Sequence, residues 1–135
     1  MSENAELVRR TNDAFNRGDL EGVVALTGPE IQIEDLPDMP EARSFHGHDG
    51  LKEFLGLNTE PWESVKVEID RLIDVGDDAV VVLSRAVARG RGSGVEINQP
   101  RGSIYTVRGG KIVRVQFFAS PAQTLEAAGL GAELS

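Results

Sequence analysis

The second half of the sequence alternates apolar with polar residues between glycine turns, and this pattern constrains the fold more than any other feature. In "VKVEID" every second residue is apolar, as in a strand that buries one face. The turns "GDD", "RGSG" and "RGG" separate runs rich in β-branched residues. Pro100 and Gly102 indicate a bulge or a free edge within the third run. The sequence therefore predicts four long antiparallel strands, over about 65–75, 79–89, 95–107 and 112–118.

The first half contains helical patterns instead. Apolar residues recur at helical spacing from Leu7 to Phe15. Gly18 can end that helix, and Asp19 can cap a short second helix. A third helix follows "HGHDG", and "SPAQTLEAAGL" is typical of a short C-terminal helix with proline in its first turn.

A short strand is predicted between the second and third helices. Ile31 and Ile33 alternate with polar residues, and the strand ends at Glu34 and Asp35. The proline-punctuated stretch "LPDMPEARSF" that follows is predicted to be a loop. Because side chains alternate along a strand, Asp35 shares the face of the two isoleucines, and Glu34 lies on the opposite face.

Helices combined with antiparallel strands indicate an α+β fold, and 135 residues is an ordinary length for one domain. We expect a strongly curved antiparallel sheet wrapped around the N-terminal helices, so that the two enclose a cone with a mouth. We expect residues 1–135 to form a single domain.

Charge and composition exclude several kinds of partner and site. The net charge of −8 argues against binding to nucleic acid or to an anionic membrane, since both require a basic surface. The absence of cysteine excludes disulfides, thiolate chemistry and Cys-based zinc sites. No apolar run approaches the roughly 20 residues of a membrane span, and "MSENAELVRR" lacks the apolar segment of a secretory signal. We expect a cytoplasmic protein.

Five segments of the chain together resemble one family. They are "FNRGDLEGVVALTGPEIQIED", "FHGHDGLKEFL", "SGVEI", "VRGGKIVRVQFF" and "LEAAGL". They are similar to the SnoaL-like polyketide cyclase and ketosteroid isomerase-like branch of the nuclear transport factor 2-like superfamily, from about Leu7 to Leu130. The resemblance implies a cone-shaped α+β barrel with a ligand pocket inside. It indicates function only broadly, because isomerases, cyclases, epoxide hydrolases and binding proteins share this fold.

The resemblance also implies an oligomeric state. Members of this branch often form homodimers through the outer face of the sheet. On the last strand, Arg114, Gln116 and Phe118 fall on that face. We therefore expect a homodimer through these residues, with Phe118 exposed until the partner covers it.

A catalytic base is implied by the same resemblance. "IEDLP" is similar to the "VEDP" segment of ketosteroid isomerases and places Asp35 on their general base. A carboxylate at the mouth of an apolar cavity is partly desolvated, which raises its pKa toward the range needed to take a proton from carbon. The isomerase tyrosine falls on Thr11 and the protonated aspartate near Ser103. These weaker donors make steroid isomerisation a poor fit.

Three residues are candidate donors to a carbonyl oxygen. Ser103 and Tyr105 share strand parity with Arg101, so all three can line one face. Tyr105 can equally be a packing aromatic of the sheet. His46 can transfer protons near neutral pH if it lies at the pocket mouth.

Arg85 lies in the middle of a predicted strand. It must reach the mouth, a carboxylate or a dimer contact, because a buried unpaired charge costs several kcal/mol. In the epoxide hydrolase branch an Asp–Arg–Asp set activates water, and here only Asp35 and Arg85 match that set. An outward Arg85 paired with an acid on a neighbouring strand is the other reading.

No metal site is predicted. His46, His48 and Asp49 lie close together in "FHGHDG", but side chains two apart in a loop can diverge. Neither an HExxH motif nor a clear third ligand accompanies them.

The preferred hypothesis is a SnoaL-like protein that binds a small, apolar, carbonyl-bearing ligand and, if it is an enzyme, carries out cofactor-free isomerase or cyclase chemistry. A non-catalytic ligand-binding or dimeric scaffold module and an epoxide hydrolase-like enzyme remain as alternatives. The predicted catalytic residues are Asp35, Tyr105, Ser103 and His46. The predicted ligand-binding residues are Thr11, Phe15, Phe54, Trp62, Arg85, Arg101, Val115 and Phe117.

Overall fold

The computed structural model describes residues 2–37 and 39–130, which form four helices and six strands. The helices are α1 (Glu3–Asn16), α2 (Leu20–Ala25), α3 (Gly47–Thr59) and α4 (Pro121–Ala127). The strands are β1 (Thr27–Asp35), β2 (Arg43–His46), β3 (Trp62–Val75), β4 (Ala79–Gly90), β5 (Glu96–Arg108) and β6 (Lys111–Phe118). None of the described helices is long and apolar enough to cross a membrane.

Short polar motifs set the helix ends as predicted. Gly18 follows α1 with a φ of 75°, a conformation that glycine adopts without a steric cost. The side chain of Asp19 accepts a hydrogen bond from the N–H of Gly22 at 2.9 Å and so caps α2. Ser120 caps α4, and Pro121 occupies its first turn.

All six strands form one curved sheet in the order β2-β1-β6-β5-β4-β3. The strands β3, β4, β5 and β6 are antiparallel neighbours in chain order, as predicted. Strand β1 lies beside β6 and runs parallel to it. Helices α1 and α3 pack against the inner face of the sheet. The predicted α+β fold, with a curved sheet around the N-terminal helices, is confirmed.

The predicted loop over "LPDMPEARSF" is wrong at its end, because residues 43–46 form β2 and pair antiparallel with β1. Asp35 lies opposite Arg43, and Gln32 lies opposite His46. The segment "RSFH" lacks the alternation of apolar and polar residues that would mark a strand. Its pairing comes from the neighbouring strand rather than from its own composition.

Pro100 lies at a free edge rather than at a bulge. The pairing of β5 with β4 is continuous from Glu96 to Thr106. The pairing of β5 with β6 begins only at Gly102, so Pro100 has no β6 neighbour. Proline has no backbone N–H to donate, and at an edge no sheet hydrogen bond is lost by its absence.

The main core lies between the inner face of the sheet and the helices. Ile31 and Ile33 of β1 pack with Phe54 of α3 in the larger cluster. Val8 of α1 packs with Val80 of β4 in a second cluster. Burial of each such side chain stabilises the fold by about 1.5–3 kcal/mol. These contacts hold the helices inside the curve.

Helix α4 packs on the outer face of the sheet instead. Leu125 of α4 is buried there with Phe118 and Val81. Gly102 permits the close approach, because a Cβ at that position would collide with the side chain of Thr124. The prediction of an exposed Phe118 is therefore wrong, since α4 covers it and only 4% of the residue is exposed.

The other two residues predicted for the dimer contact lie on the outer face beside β1. Nη2 of Arg114 lies 2.7 Å from Oε2 of Glu34. Nε2 of Gln116 donates to Oε1 of Glu34 at 3.4 Å. Glu34 thus points outward as expected, and a homodimer through this surface stays a prediction.

Candidate functional site

A cavity of about 510 Å³ lies between the inner face of the sheet and the helices. Its wall is mainly apolar and comes from every strand except β2, which is typical of a pocket for a small organic molecule. His46 and Arg85 are absent from this wall. The other predicted site residues line it, namely Asp35, Ser103, Tyr105, Thr11, Phe15, Phe54, Trp62, Arg101, Val115 and Phe117.

Aromatic rings form one part of the wall. Phe54 of α3 stacks on Phe117 of β6, with ring centroids 5.0 Å apart. Phe54 also meets Phe45 edge to face at 5.4 Å. Trp62, at the start of β3, lines the cavity as well. Such rings provide flat apolar surfaces for a ligand of similar shape.

Strand register places an acid and two hydroxyl groups in one region of the wall. Asp35 pairs with Phe117 of β6, and Phe117 pairs with Ser103 of β5. Tyr105 follows two residues later on β5, opposite Val115. Neighbouring strands are about 4.8 Å apart, so the backbones at Asp35 and Ser103 are separated by about 10 Å. A single small molecule is long enough to contact both Asp35 and Ser103.

Asp35 lies at the rim of the cavity, and Arg43 holds it there. The side chain of Asp35 is 16% exposed. Its Oδ2 accepts a hydrogen bond from Nη2 of Arg43 at 2.6 Å. The guanidinium of Arg43 also lies 5.7 Å from the centre of the Phe45 ring. The pair fixes the orientation of the carboxylate, and Oδ1 has no side-chain partner within the described chain.

The sequence prediction missed Ser84, which lines the cavity. Arg43 is the second residue that it missed. It lies in the segment predicted to be a loop, and nothing in "EARSF" marks it as a partner of Asp35. The available signal is the pairing of β2 with β1, which sets Arg43 directly opposite Asp35. That pairing becomes visible only in the folded chain.

Three hydroxyl groups of the inner face have no hydrogen-bond partner within the described chain. They belong to Ser84 of β4 and to Ser103 and Tyr105 of β5, and all three residues line the cavity. None of the three oxygen atoms is sealed away from the cavity space. Burial raises the pKa of Tyr105 to about 12, so its phenol remains a hydrogen-bond donor at neutral pH. The wall therefore offers donors to an oxygen-bearing ligand.

Other polar side chains of the wall are already bonded. The hydroxyl of Thr11 donates to the carbonyl oxygen of Leu7 at 2.8 Å. Nδ2 of Asn12 donates to the carbonyl oxygen of Val67 at 3.0 Å and ties α1 to β3. Thr11 falls at the position of the isomerase tyrosine in the resemblance, but here its proton is used within its own helix.

Arg101 and Asp35 are the only charged residues in the wall within residues 2–37 and 39–130. Nη1 of Arg101 donates to the carbonyl oxygens of Pro100 at 3.0 Å and Ala119 at 3.4 Å. Its Nη2 donates to Oε1 of Gln99. All three acceptors are uncharged.

His46 lies outside the cavity, which corrects its predicted position at the mouth. It is opposite Gln32, on the outward side of β1. Its Nε2 lies 3.3 Å from Oε2 of Glu30, and 60% of its side chain is exposed. The alternation of β2 thus turns this imidazole toward solvent.

Arg85 also lies outside the cavity, on the outer face of β4. Its Nη1 donates to Oδ1 of Asn98 at 2.9 Å. Its chain neighbours Ser84 and Ala86 line the cavity, so Arg85 points the other way. The outward reading of Arg85 is correct, although its partner is an amide rather than the predicted acid.

The described residues contain no group of three His, Asp or Glu side chains that could hold a metal ion. His48 and His46 turn to different partners. Nε2 of His48 lies 3.2 Å from the carbonyl oxygen of Thr27.

Comparison with known proteins identifies relatives over nearly the whole chain. The sequence model of the SnoaL-like domain family matches residues 8–115 of this chain. An uncharacterized protein of Mycobacterium tuberculosis is 30% identical over 128 residues, which cover 92% of this chain and 96% of that protein.

Two solved structures share the fold. An NTF2-like protein of unknown function from Burkholderia pseudomallei has a TM-score of 0.77 and 23% identity, and the match covers 98% of this chain and 99% of the other. TerC, crystallised with polyporic acid, has a TM-score of 0.76 and 21% identity, with coverage of 95% and 99%. At such identities the likeness shows the fold alone.

Proposed function

Because the chain belongs to the SnoaL-like domain family, we propose that it binds a small, largely apolar molecule with a carbonyl group in the cavity of the curved sheet. The observation that carries the proposal is an apolar cavity of about 510 Å³ whose wall holds Asp35 and the unbonded hydroxyls of Ser103 and Tyr105 on the same face of the sheet. The stacked rings of Phe54 and Phe117 suit the apolar body of such a ligand. The crystallisation of TerC with polyporic acid supports a small-molecule role for this fold.

The chemistry that these groups support best is cofactor-free proton transfer. The carboxylate of Asp35 takes a proton from the carbon next to the carbonyl group, and the negative charge moves to the carbonyl oxygen. The hydroxyls of Ser103 and Tyr105 donate hydrogen bonds to that oxygen and stabilise the enolate. If the ligand also carries a carbon–carbon double bond next to the carbon that loses the proton, the enolate extends over that bond as a dienolate. Asp35 then returns the proton to the far carbon of the dienolate, the double bond shifts toward the carbonyl group, and an isomer is formed.

Ring closure is the second outcome of the same step. The enolate carbon attacks another carbonyl carbon of the same molecule, a carbon–carbon bond forms, and the electron pair of that carbonyl moves to its oxygen. The new alkoxide takes the proton that Asp35 holds. The carboxylate is regenerated in both outcomes, so no other reactant is consumed.

Arg43 assists this proposal through geometry. Its hydrogen bond of 2.6 Å fixes Oδ2 of Asp35. A base whose orientation is fixed loses less entropy when it meets the reacting carbon. Oδ1 then remains as the oxygen that takes the proton.

A non-catalytic binding module is the second candidate, and the same ion pair favours it. The Asp35–Arg43 contact joins the end of β1 to β2, and this alone is a sufficient structural reason for an acid at the position. In that case the cavity holds a ligand without changing it. Water activation of the epoxide hydrolase kind is not proposed, because Arg85 faces outward.

Deuterium exchange tests whether Asp35 acts as a base. The ketone 2-tetralone is incubated with the protein in D₂O, and loss of the proton signal next to its carbonyl group is followed by NMR. We expect the wild-type protein to accelerate exchange and Asp35→Asn to slow it by about 100-fold or more. Glu34→Gln is the matched control, because Glu34 is the adjacent acid on the outer face.

Each outcome separates the two candidates. Exchange that is equally fast in Asp35→Asn would remove this residue from the mechanism. Binding of 2-tetralone, seen as a change in the fluorescence of Trp62, without any accelerated exchange would favour the binding module.

A further inference from the structure

The cavity wall carries one positive charge that has no carboxylate partner among the described residues, and we propose that Arg101 binds an oxyanion of the ligand, in the first place a carboxylate. The inference rests on the proposed function, because it concerns the same cavity. It narrows the ligand to an apolar molecule that carries both a carbonyl group and an acidic group.

The charge balance of the wall supports an anionic ligand. Asp35 is the only carboxylate among the described residues that line the cavity, and Arg43 pairs with it at 2.6 Å. This pair is neutral as a unit. Arg101 therefore leaves the wall with one net positive charge, although the whole chain has a net charge of −8.

Arg101 differs from the other strand arginines because it lines the cavity. Within the described chain, Arg85 also lacks a carboxylate partner, but it lies on the outer face and bonds to the amide oxygen of Asn98. Arg43, Arg89 and Arg114 each pair with a carboxylate. Among the residues that the structure describes, Arg101 bonds only to uncharged oxygen atoms, those of Pro100, Ala119 and Gln99. These hydrogen bonds to uncharged acceptors orient the guanidinium but do not neutralise its positive charge. A partly buried charge without a counter-ion is costly to keep, so one that borders a cavity is a candidate for binding an anionic ligand.

The position of Arg101 suits one end of an elongated ligand. The last pair between β5 and β6 is Gly102 with Phe118, so Arg101 lies just beyond the end of β6 while it still pairs with Ser84 of β4. Ser103 follows two residues later on the same face, about 7 Å along the strand. A ligand whose carboxylate meets Arg101 therefore places its carbonyl group toward Ser103. The guanidinium of arginine matches a carboxylate with two parallel hydrogen bonds.

Two fluorescent dyes of similar shape test the inference. 8-Anilinonaphthalene-1-sulfonate carries an oxyanion, and N-phenyl-1-naphthylamine is its neutral counterpart. The dissociation constant of each is measured by titration. Trp62 is the only tryptophan and lines the cavity, so energy transfer from it to the dye identifies binding at this site.

We expect Arg101→Gln to weaken binding of the sulfonate dye by about 10-fold to 100-fold, the effect of losing a charged hydrogen bond. Binding of the neutral dye should change by less than about twofold, because it makes no such bond. Arg85→Gln is the matched control on the outer face and should leave both dissociation constants unchanged.

A ratio of the two dissociation constants that Arg101→Gln does not alter would overturn the inference. If neither dye binds with energy transfer from Trp62, the proposed ligand-binding function itself fails. The two failures are therefore distinguishable.

Arg101→Lys keeps the test decisive if the glutamine variant does not fold. Lysine keeps the charge but loses the planar fork of donors, so a smaller loss of about three- to tenfold is expected for the sulfonate dye alone. Thermal unfolding followed by circular dichroism establishes that each variant is folded. An equal effect on both dyes would indicate a change of cavity shape and would contradict the inference.

Discussion

Polar side chains on the two faces of the sheet differ in how many hydrogen-bond partners they have. Two neighbouring acids, Glu34 and Asp35, show this difference. Glu34 lies on the outer face, and both of its oxygens are bonded, to Arg114 and Gln116. Asp35, the next residue, lies on the inner face with one oxygen bonded to Arg43. Outside, polar groups satisfy one another. On the inner face, Oδ1 of Asp35 and the hydroxyls of Ser84, Ser103 and Tyr105 remain available to bond a ligand.

The contrast gives a criterion for a binding site. Buried polar groups in folded proteins nearly always have hydrogen-bond partners. A group without one, facing a cavity, indicates that a ligand completes the set. By this criterion the proposed site includes Ser84, Ser103 and Tyr105, which line the cavity. Arg85 and Arg114 have partners on the outer face and fall outside it.

The largest expected effect comes from two adjacent phenylalanines on opposite faces. Phe118→Ala should lower the free energy of unfolding by about 3–5 kcal/mol, because the ring is buried beneath α4. Phe117→Ala should cost less, about 1–3 kcal/mol, since Phe117 is only partly buried. Urea unfolding followed by circular dichroism measures both. A Phe118→Ala effect that grows with protein concentration would restore Phe118 as a dimer contact.

A smaller effect is expected for Tyr105 at high pH. Burial raises its pKa from 10.0 to about 12 in the folded protein. As the pH rises above 10, the unfolded chain loses this proton first, so the wild-type protein is destabilised until the folded phenol also ionises. Tyr105→Phe removes this contribution and should lose less stability between about pH 10 and 12. The measurement is the free energy of unfolding of both proteins across this pH range. If it falls equally with pH in the wild-type protein and in Tyr105→Phe, the raised pKa of Tyr105 is contradicted.

The smallest effect is expected on the outer face. Glu34→Gln should lower the free energy of unfolding by no more than about 1 kcal/mol, since exposed ion pairs contribute little. About 1 M salt should reduce the difference further by screening. The variant should bind both dyes as the wild-type protein does. A marked loss of dye binding would show that the two faces are coupled.

Alternation along strands made much of the site predictable. Ile31, Ile33 and Asp35 lie on one face as the sequence indicates, with both isoleucines 1% exposed. Ser103 and Tyr105 likewise share the inner face. In these strands one face is apolar and the other polar, so the pattern reports the direction of each side chain.

Other features depend on tertiary contacts that carry no local pattern. Strand β4 is apolar on both sides of its first half, with Val80, Val81 and Val82 all buried, so its alternation did not determine the direction of Arg85. Helix α4 was predictable as a helix, but the face on which it packs was not. Gly102 is the signal for that face, because a glycine within a strand often marks the close approach of another element.

The parallel pairing of β1 with β6 has a consequence for synthesis of the chain. The hairpins of β3, β4 and β5 join segments that are close in sequence, whereas Asp35 meets Phe117 only after nearly the whole chain exists. Contacts between distant segments form late and slowly. On the ribosome, we expect the edge of β1 that pairs with β6 to stay without its hydrogen-bond partners until β6 emerges. A chain that stops before β6 can form its hairpins but cannot bring Asp35 and Ser103 together.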